Sequence, residues 1–580
     1  IASRTNGFGI GVQDWEASAG CECGYIAFDP KNPVFVYGGC YQGQIDVLDT
    51  RTNEAKDVMQ YPAINLSAQP RQMKYRFNWN APILASPHDA RVIYHAANVL
   101  FKTTDGGLNW QVISPDLTRN DTTKQGLGGG PLTNEGAGGE NYNTIYYVIE
   151  SPDEQGVIYT GSDCGLVHVT RDGGKNWSNI TPPNLPECII NSIEVSPHTK
   201  GTAYISATRY KFDDHSALAY KTTDYGKPWT SVASGIDNGD FLRVIREDKK
   251  VPGLLYGGSE CGFYISFNGG TNWQKMQLNL PVVPVTDMIL HNNDLIVSTA
   301  GRSFWILDDV SAMQQSKGQF GDALVKLFQP NTAIRIGGGG TVMMPEPPPG
   351  IGLNPPNGAI LDYFLKEKAD TNLLQLEIMT ADGKLIRSFS NKKDDSAKTW
   401  PGGPPAPTLI PAESGMNRFA WDLRTATLEG VSGVFTYGDF RGHVVAPGRY
   451  KARLTYKGQT SETDFEVSAD PRLSVKPSDW TEQQELITRI EGHLADMHGA
   501  VNKLRRIKKQ VDGYNDLLKD KVLQDAGKEL NKKMEAWESN IVETKAKNFQ
   551  DVINFQSKLN AEFFDTRSRL DGHDPRVTQG

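Results

Sequence analysis

The stretch Thr103-Thr104-Asp105-Gly106-Gly107-Leu108-Asn109-Trp110 decides the fold, because the chain carries its pattern three more times. Thr170-Arg171-Asp172-Gly173-Gly174-Lys175-Asn176-Trp177, Thr222-Thr223-Asp224-Tyr225-Gly226-Lys227-Pro228-Trp229 and Ser266-Phe267-Asn268-Gly269-Gly270-Thr271-Asn272-Trp273 all fit [ST]-x-[DN]-x-G-x-x-W. An alternating strand such as Leu166-Val167-His168-Val169 or Phe263-Tyr264-Ile265-Ser266 leads into the box, and another begins at the tryptophan. The chemistry is that of a hairpin. The side chain of Asp105, Asp172, Asp224 or Asn268 bonds the turn's own amides, and glycine takes a positive φ. Trp110, Trp177, Trp229 and Trp273 are then expected to cover the loop. These acids are read as hairpin staples, not catalysts.

A longer unit surrounds each box. One strand ends in Ser-Pro or Asp-Pro (Asp29-Pro30, Ser86-Pro87, Ser151-Pro152, Ser196-Pro197), a second follows, such as Val157-Ile158-Tyr159-Thr160, and a glycine turn leads to the box strand. Four strands per unit make the blade of a β-propeller. Six units begin near residues 21, 78, 141, 188, 241 and 284, so blades are expected over 21–318. The first and last lack a matching box, the last carrying Gly301-Arg302-Ser303-Phe304-Trp305-Ile306-Leu307-Asp308-Asp309 instead. Residues 1–20, with Trp15, read as outer strands of an incomplete further blade whose inner strands lie upstream. The ring is therefore expected to need a propeller sequence or chain absent here.

Past residue 310 the repeats stop. Gly337–Gly340 and Pro345–Pro349 mark a linker, placed at 319–357. Strand signals return over 358–472, including Leu374-Gln375-Leu376-Glu377-Ile378 and Asn417-Arg418-Phe419-Ala420-Trp421-Asp422-Leu423, and suggest an Ig-like β-sandwich. Residues 478–571 read as a helical hairpin or three-helix segment. Thr481 and Gln484 have capping-box spacing, and a heptad-like stripe runs through Ile487, Ile490, Leu494, Met497, Val501, Leu504, Val511, Tyr514 and Leu518. A second stretch holds Leu530, Met534, Trp537 and Ile541.

The chain has 580 residues, with 60 basic and 68 acidic side chains and a net charge of −8. That balance excludes a broad nucleic-acid surface, which needs a clustered basic excess. No apolar run reaches the length of a membrane span. The fold class is mainly β, with a helical end.

The boxes resemble the Asp-box (BNR) motif of sialidases, sortilin-type receptors and xyloglucan-degrading propeller enzymes. The stretches Tyr75-Arg76-Phe77-Asn78-Trp79-Asn80-Ala81-Pro82-Ile83, Ser86-Pro87-His88-Asp89, Ile113-Ser114-Pro115-Asp116-Leu117-Thr118 and Trp305-Ile306-Leu307-Asp308-Asp309 resemble a group of large secreted bacterial proteins, labelled glycosyl hydrolase or sortilin-like. The resemblance covers nearly the whole chain and implies a further propeller upstream. In such families the boxes are structural turns, and a fold does not fix a function.

The candidate chemistry lies elsewhere. Cys21, Cys23, Cys40, Cys164, Cys188 and Cys261 fall at entries to first strands or in turns between second and third strands, which share one rim of the propeller. Disulfides such as Cys21 or Cys23 with Cys40, and Cys164 with Cys188, are the favoured reading; a thiolate metal site and unpaired buried thiols are the alternatives. Asp163, Glu260 and Glu22 share that face and are the hydrolytic candidates, since a glycosidase needs two carboxyls about 5–9.5 Å apart. Tyr41, Glu135 and Glu140 are candidate binding residues there. The ten histidines show no metal-ligand spacing. No cofactor, metal or nucleic-acid partner is expected. The reading is an extracytoplasmic module, secreted, periplasmic or at the cell surface, that recognises a protein, peptide or glycan; the alternative is a glycoside hydrolase with an acid pair between two propellers.

Overall fold

In the computed structural model, residues 4–5, 9–22, 24–128, 136, 138–336, 351–369, 374–394 and 397–577 are described. The chain forms two compact units, one of Gln13–Val310 and one that includes Ala2–Val12 and Ser311–Gly580.

The first unit is a succession of antiparallel meanders. Strands Ile26–Phe28, Phe35–Gly39, Ile45–Asp49 and Glu54–Asp57 form the first sheet, and the next four sheets begin at Ile83, Ile145, Ile189 and Leu242. All five have four strands in chain order, whereas the sixth has three: Val285–His291, Asp294–Thr299 and Phe304–Leu307. The first strand of each sheet packs on the first strand of the next, the arrangement of propeller blades. Apolar side chains fill the spaces between sheets. Tyr159, Val167 and Val169 of the third sheet meet Ile190, Ile193 and Ile205 of the fourth in one cluster.

The boxes lock neighbouring sheets together. Within a box, the Asp105 carboxylate accepts from Thr103 Oγ1 (2.9 Å), Asn109 N (2.9 Å) and Asn109 Nδ2 (2.8 Å), and Gly107 N donates to Thr103 Oγ1 (3.0 Å). The same hydrogen bonds hold the Asp172 carboxyl down at about 2, the Asn176 side chain contributing most. The tryptophans do more than cover their loops. The indole N–H groups of Trp110, Trp177, Trp229 and Trp273 donate to the carbonyls of Val58, Ile113, Ile180 and Val232, all in the preceding sheet, at 2.5–2.8 Å. The second box glycine presses on the same four residues. A Cβ at Gly226 (φ +95°) would stand 2.5 Å from Ile180 Cβ, and one at Gly107 (φ +89°) 2.7 Å from Val58 Cβ. Glycine is thus needed there both for the left-handed backbone and for the close approach.

The second unit contains a three-stranded sheet (Val325–Leu327, Ala359–Leu365, Gly415–Trp421) and a five-stranded sheet ordered Ala333–Arg335, Gln459–Ala469, Gly448–Tyr456, Gln375–Thr380, Leu385–Ser390. Leu361, Tyr363, Trp421, Leu376, Leu454 and Tyr456 of the two sheets share one buried core. Among the described residues four α-helices complete it: α1 (Ser311–Ser316), α2 (Pro477–Leu517), α3 (Lys521–Ile541) and α4 (Leu559–Leu570). Phe440, Ile490, Leu494 and Phe564 pack α2 and α4 onto the loop that precedes the Gly448 strand.

Three expectations need correction. Residues 319–336 are not linker, because 325–327 and 333–335 are strands of the two sheets; most of the glycine–proline stretch lies outside the described residues. Gly9–Ile10 pairs with Gly352–Leu353 in the second unit rather than forming an outer strand of a blade, although Trp15 packs on Phe304 of the sixth sheet at 6.1 Å. Helix α2 begins at Pro477, where proline's missing N–H costs nothing, and Asp479 caps the Lys476 amide at 2.8 Å; Thr481 is already inside the helix.

Candidate functional site

Each first strand enters its sheet at the end that bears the cysteines. Cys40, Cys164 and Cys261 lie in turns between second and third strands, and Cys21 and Cys188 just before first strands, so antiparallel pairing brings all five to the same end of their sheets. Cys21 and Cys40 form a disulfide with a Cα–Cα distance of 5.0 Å. The expected Cys164–Cys188 bridge is not made: both are free buried thiols, as Cys261 is a free, half-buried one. Burial raises all three thiols, Cys188 to about 12, which makes them poor nucleophiles. Cys23 and Glu135 lie outside the described residues.

The hydrolytic candidates do not form an open pair. Asp163 is buried and accepts from both Thr144 N (2.9 Å) and Thr144 Oγ1 (2.7 Å); burial nevertheless raises its carboxyl to about 7. Glu260 is held by Arg243 Nε at 2.6 Å, and Glu22 is an exposed side chain beside the disulfide. Tyr41 and Glu140 both lie beside the Asn78–Trp79 segment, the first by its ring and the second by its backbone. The Tyr41 and Trp79 rings stack at 5.5 Å, Gly139 presses on the Trp79 ring, and Glu140 bridges to Asn78.

The sequence reading missed the bulges but placed the first strands. Those of the third to sixth sheets each break register at the same place, between Ile145 and Tyr147, Ile190 and Ser192, Leu242 and Val244, and Val285 and Asp287. The bulged residues are Tyr146, Asn191, Arg243 and Thr286. A bulge re-aims a side chain, and bulges recur beside functional sites. Tyr146 and Arg243 belong to sheets two apart; burial raises the Tyr146 phenol most, Tyr210 adds to the rise and the Arg243 charge opposes it. Tyr210 joins them, stacked on Phe241 at 6.1 Å with the Arg243 guanidinium 5.3 Å from its ring centroid. Tyr210, Lys211 and Phe212 are exposed at the tip of this projection.

Three residues further along its strand, Arg246 gathers a network of charged and polar groups. Its guanidinium donates to Tyr147 OH (3.0 Å), Asp287 Oδ1 (2.7 Å) and Met288 O (3.0 Å), and Glu194 Oε2 lies 3.6 Å away. Four sheets are thereby tied to one side chain. Burial opposes the arginine's charge, but Tyr147, Asp287 and Glu194 hold its pKa above the usual value. Burial also raises Glu194 to about 7 despite Arg246 and the Glu247 amide. The sign follows from linkage. A carboxyl raised on folding stabilises most below its unfolded pKa near 4.5, and that contribution is lost as pH rises through about 7. Glu194→Gln should therefore gain stability relative to the wild type between pH 5 and 8, by up to roughly 3 kcal/mol. Parallel urea titrations at both pH values would show this; a difference that does not change with pH would refute it.

Four histidines of the first unit are held by burial or by carbonyls of a neighbouring sheet. His95 and His168 are pushed by burial to about 3 and 4, so both stay neutral, while His88 and His198 bond the carbonyls of Ser151 and Asp248 in the following sheets at 2.8 and 2.7 Å. No cluster of three or more metal-ligating side chains occurs among the described residues. No described helix is long and apolar enough to cross a membrane.

No family model matches this chain, and no curated protein does. Among solved structures it is similar to the GH74 xyloglucanase of Xanthomonas campestris, at 15% identity and a TM-score of 0.36 over 76% of this chain and 72% of that one. PorZ, a surface component of the type-IX secretion system of Porphyromonas gingivalis, is 13% identical with a TM-score of 0.33, over 76% of this chain and 59% of PorZ. YCF48 bound to the D1 peptide is 13% identical with a TM-score of 0.32, over 50% of this chain and 80% of that one. Likenesses this loose leave ligand and activity to be argued from the chain's own residues.

Proposed function

We propose that this chain is an extracytoplasmic binding module, an Asp-box β-propeller followed by an Ig-like sandwich and a helical hairpin, that recognises a protein, peptide or glycan at its axial mouth. One observation carries the reading: four successive first strands bulge at the same position, and the bulged residues include Tyr146 and Arg243. Regular strands would pair better, so a defect repeated in register is retained for what it presents. Tyrosine and arginine combine stacking area with directional donors, the pairing that dominates recognition surfaces. The disulfide between Cys21 and Cys40 fits an oxidising compartment.

The hydrolase alternative draws no support from Asp163 and Glu260, since the first is buried against Thr144 and the second is spent on Arg243. Screening the chain against a peptide library and a glycan array, then repeating each hit with Arg243→Ala and Tyr146→Ala, tests the proposal. Both substitutions should weaken binding at least tenfold, about 1.4 kcal/mol, while leaving the folded spectrum intact. Hits indifferent to both, or release of reducing sugar from a polysaccharide, would overturn it.

A further inference from the structure

Helices α2 and α3 run antiparallel, and polar contacts join their distal halves. Arg505 pairs with Glu538 (2.6 Å), Lys508 with Glu535, and Asn531 Nδ2 donates to Asp512. The buried residues of α3 are accordingly Asn531 and Glu538, both polar. Its apolar residues lie elsewhere. Leu523, Leu530 and Trp537 recur at seven-residue intervals, with Met534 between, and make one stripe. Ile507, Val511 and Tyr514 make the matching stripe on α2.

At 3.6 residues per turn, each stripe sits roughly a third of a turn back from the contacts that join the helices. Because the helices are antiparallel, equal displacement in each helix's own frame brings both stripes out on the same broad face. That face is open: Tyr514 is 67% exposed, Leu530 46% and Trp537 43%. A hairpin with one apolar face is the shape a third helix covers in a bundle.

Charge selects the occupant. Lys503 and Arg506 border the stripe on α2 and Lys533 borders it on α3; all three are exposed, and Glu529 is the acid on the same rim. The nearby acids Glu535, Glu538 and Asp512 are used within the hairpin. A second copy would set one basic rim against another, which costs association. We infer that the distal hairpin docks an amphipathic helix with acidic flanks from another protein.

The probes are two labelled synthetic helices of about 21 residues, with leucines at a and d positions and either glutamates or lysines flanking them. The glutamate peptide should bind the full chain at least tenfold more tightly than the lysine peptide, with affinity falling as salt rises. Tyr514→Glu with Leu530→Glu should abolish binding without lowering the melting temperature, because both side chains are exposed. Lys503→Glu, Arg506→Glu and Lys533→Glu together should reverse the preference. Equal binding of the two peptides, binding of neither, or a dimer by light scattering that the Tyr514→Glu, Leu530→Glu chain loses, would each overturn the inference.

Discussion

Trp273→Ala should destabilise the protein by about 3–5 kcal/mol, the usual cost of truncating a large buried aromatic. Trp273 is 2% exposed, packs with Tyr204 and Val232 of the preceding sheet, and donates its indole N–H to Val232 O at 2.8 Å. Alanine would leave a cavity at the junction between two sheets and an orphaned carbonyl beside it. Trp273→Phe separates these effects: most of the burial is kept, the hydrogen bond is lost, and a cost of about 1–2 kcal/mol is expected. Urea denaturation followed by far-ultraviolet circular dichroism measures both. Val112→Ala, at a side chain 47% exposed, is the control. Should Trp273→Ala cost no more than that control, the inter-sheet latch would be wrong.

Arg246→Ala is the second large effect, about 3 kcal/mol or more, because breaking a buried charge network leaves its partners uncompensated. The side chain is 14% exposed and bonds groups from three other sheets. Its removal strands Glu194 at a site that already disfavours ionisation, so the loss should be larger at pH 8 than at pH 5. Pairing Arg246→Ala with Glu194→Gln should recover part of it, since the neutral amide needs no counter-charge. A double variant no more stable than Arg246→Ala at pH 8 would show that Glu194 is not the stranded group.

The repeat was readable because hairpin chemistry is local. The [ST]-x-[DN]-x-G-x-x-W boxes state their turn residues in order, and the sheet starts at Ile83, Ile145, Ile189, Leu242 and Val285 fall within a few residues of the unit starts read from the sequence. The stripe through Ile487, Ile490, Leu494 and Val501 likewise predicts helix α2, all four being buried. The bulges were not readable. A bulge changes register by one residue without requiring any particular side chain, and Tyr146, Asn191, Arg243 and Thr286 share no residue type.

Alone, the sequence determined everything that depends on neighbours along the chain: the hairpins, their spacing, the strand and helix periods, and the end of each sheet that carries the cysteines. Only the tertiary structure decided what meets across the chain. It joined Cys21 to Cys40 and left Cys164 and Cys188 unbridged, set the box tryptophans onto the preceding sheet, and gathered Tyr147, Glu194 and Asp287 around Arg246. The reason is physical. Periodicity fixes which face of an element is apolar, but pairing between distant residues depends on the packing of whole sheets, to which no local pattern refers.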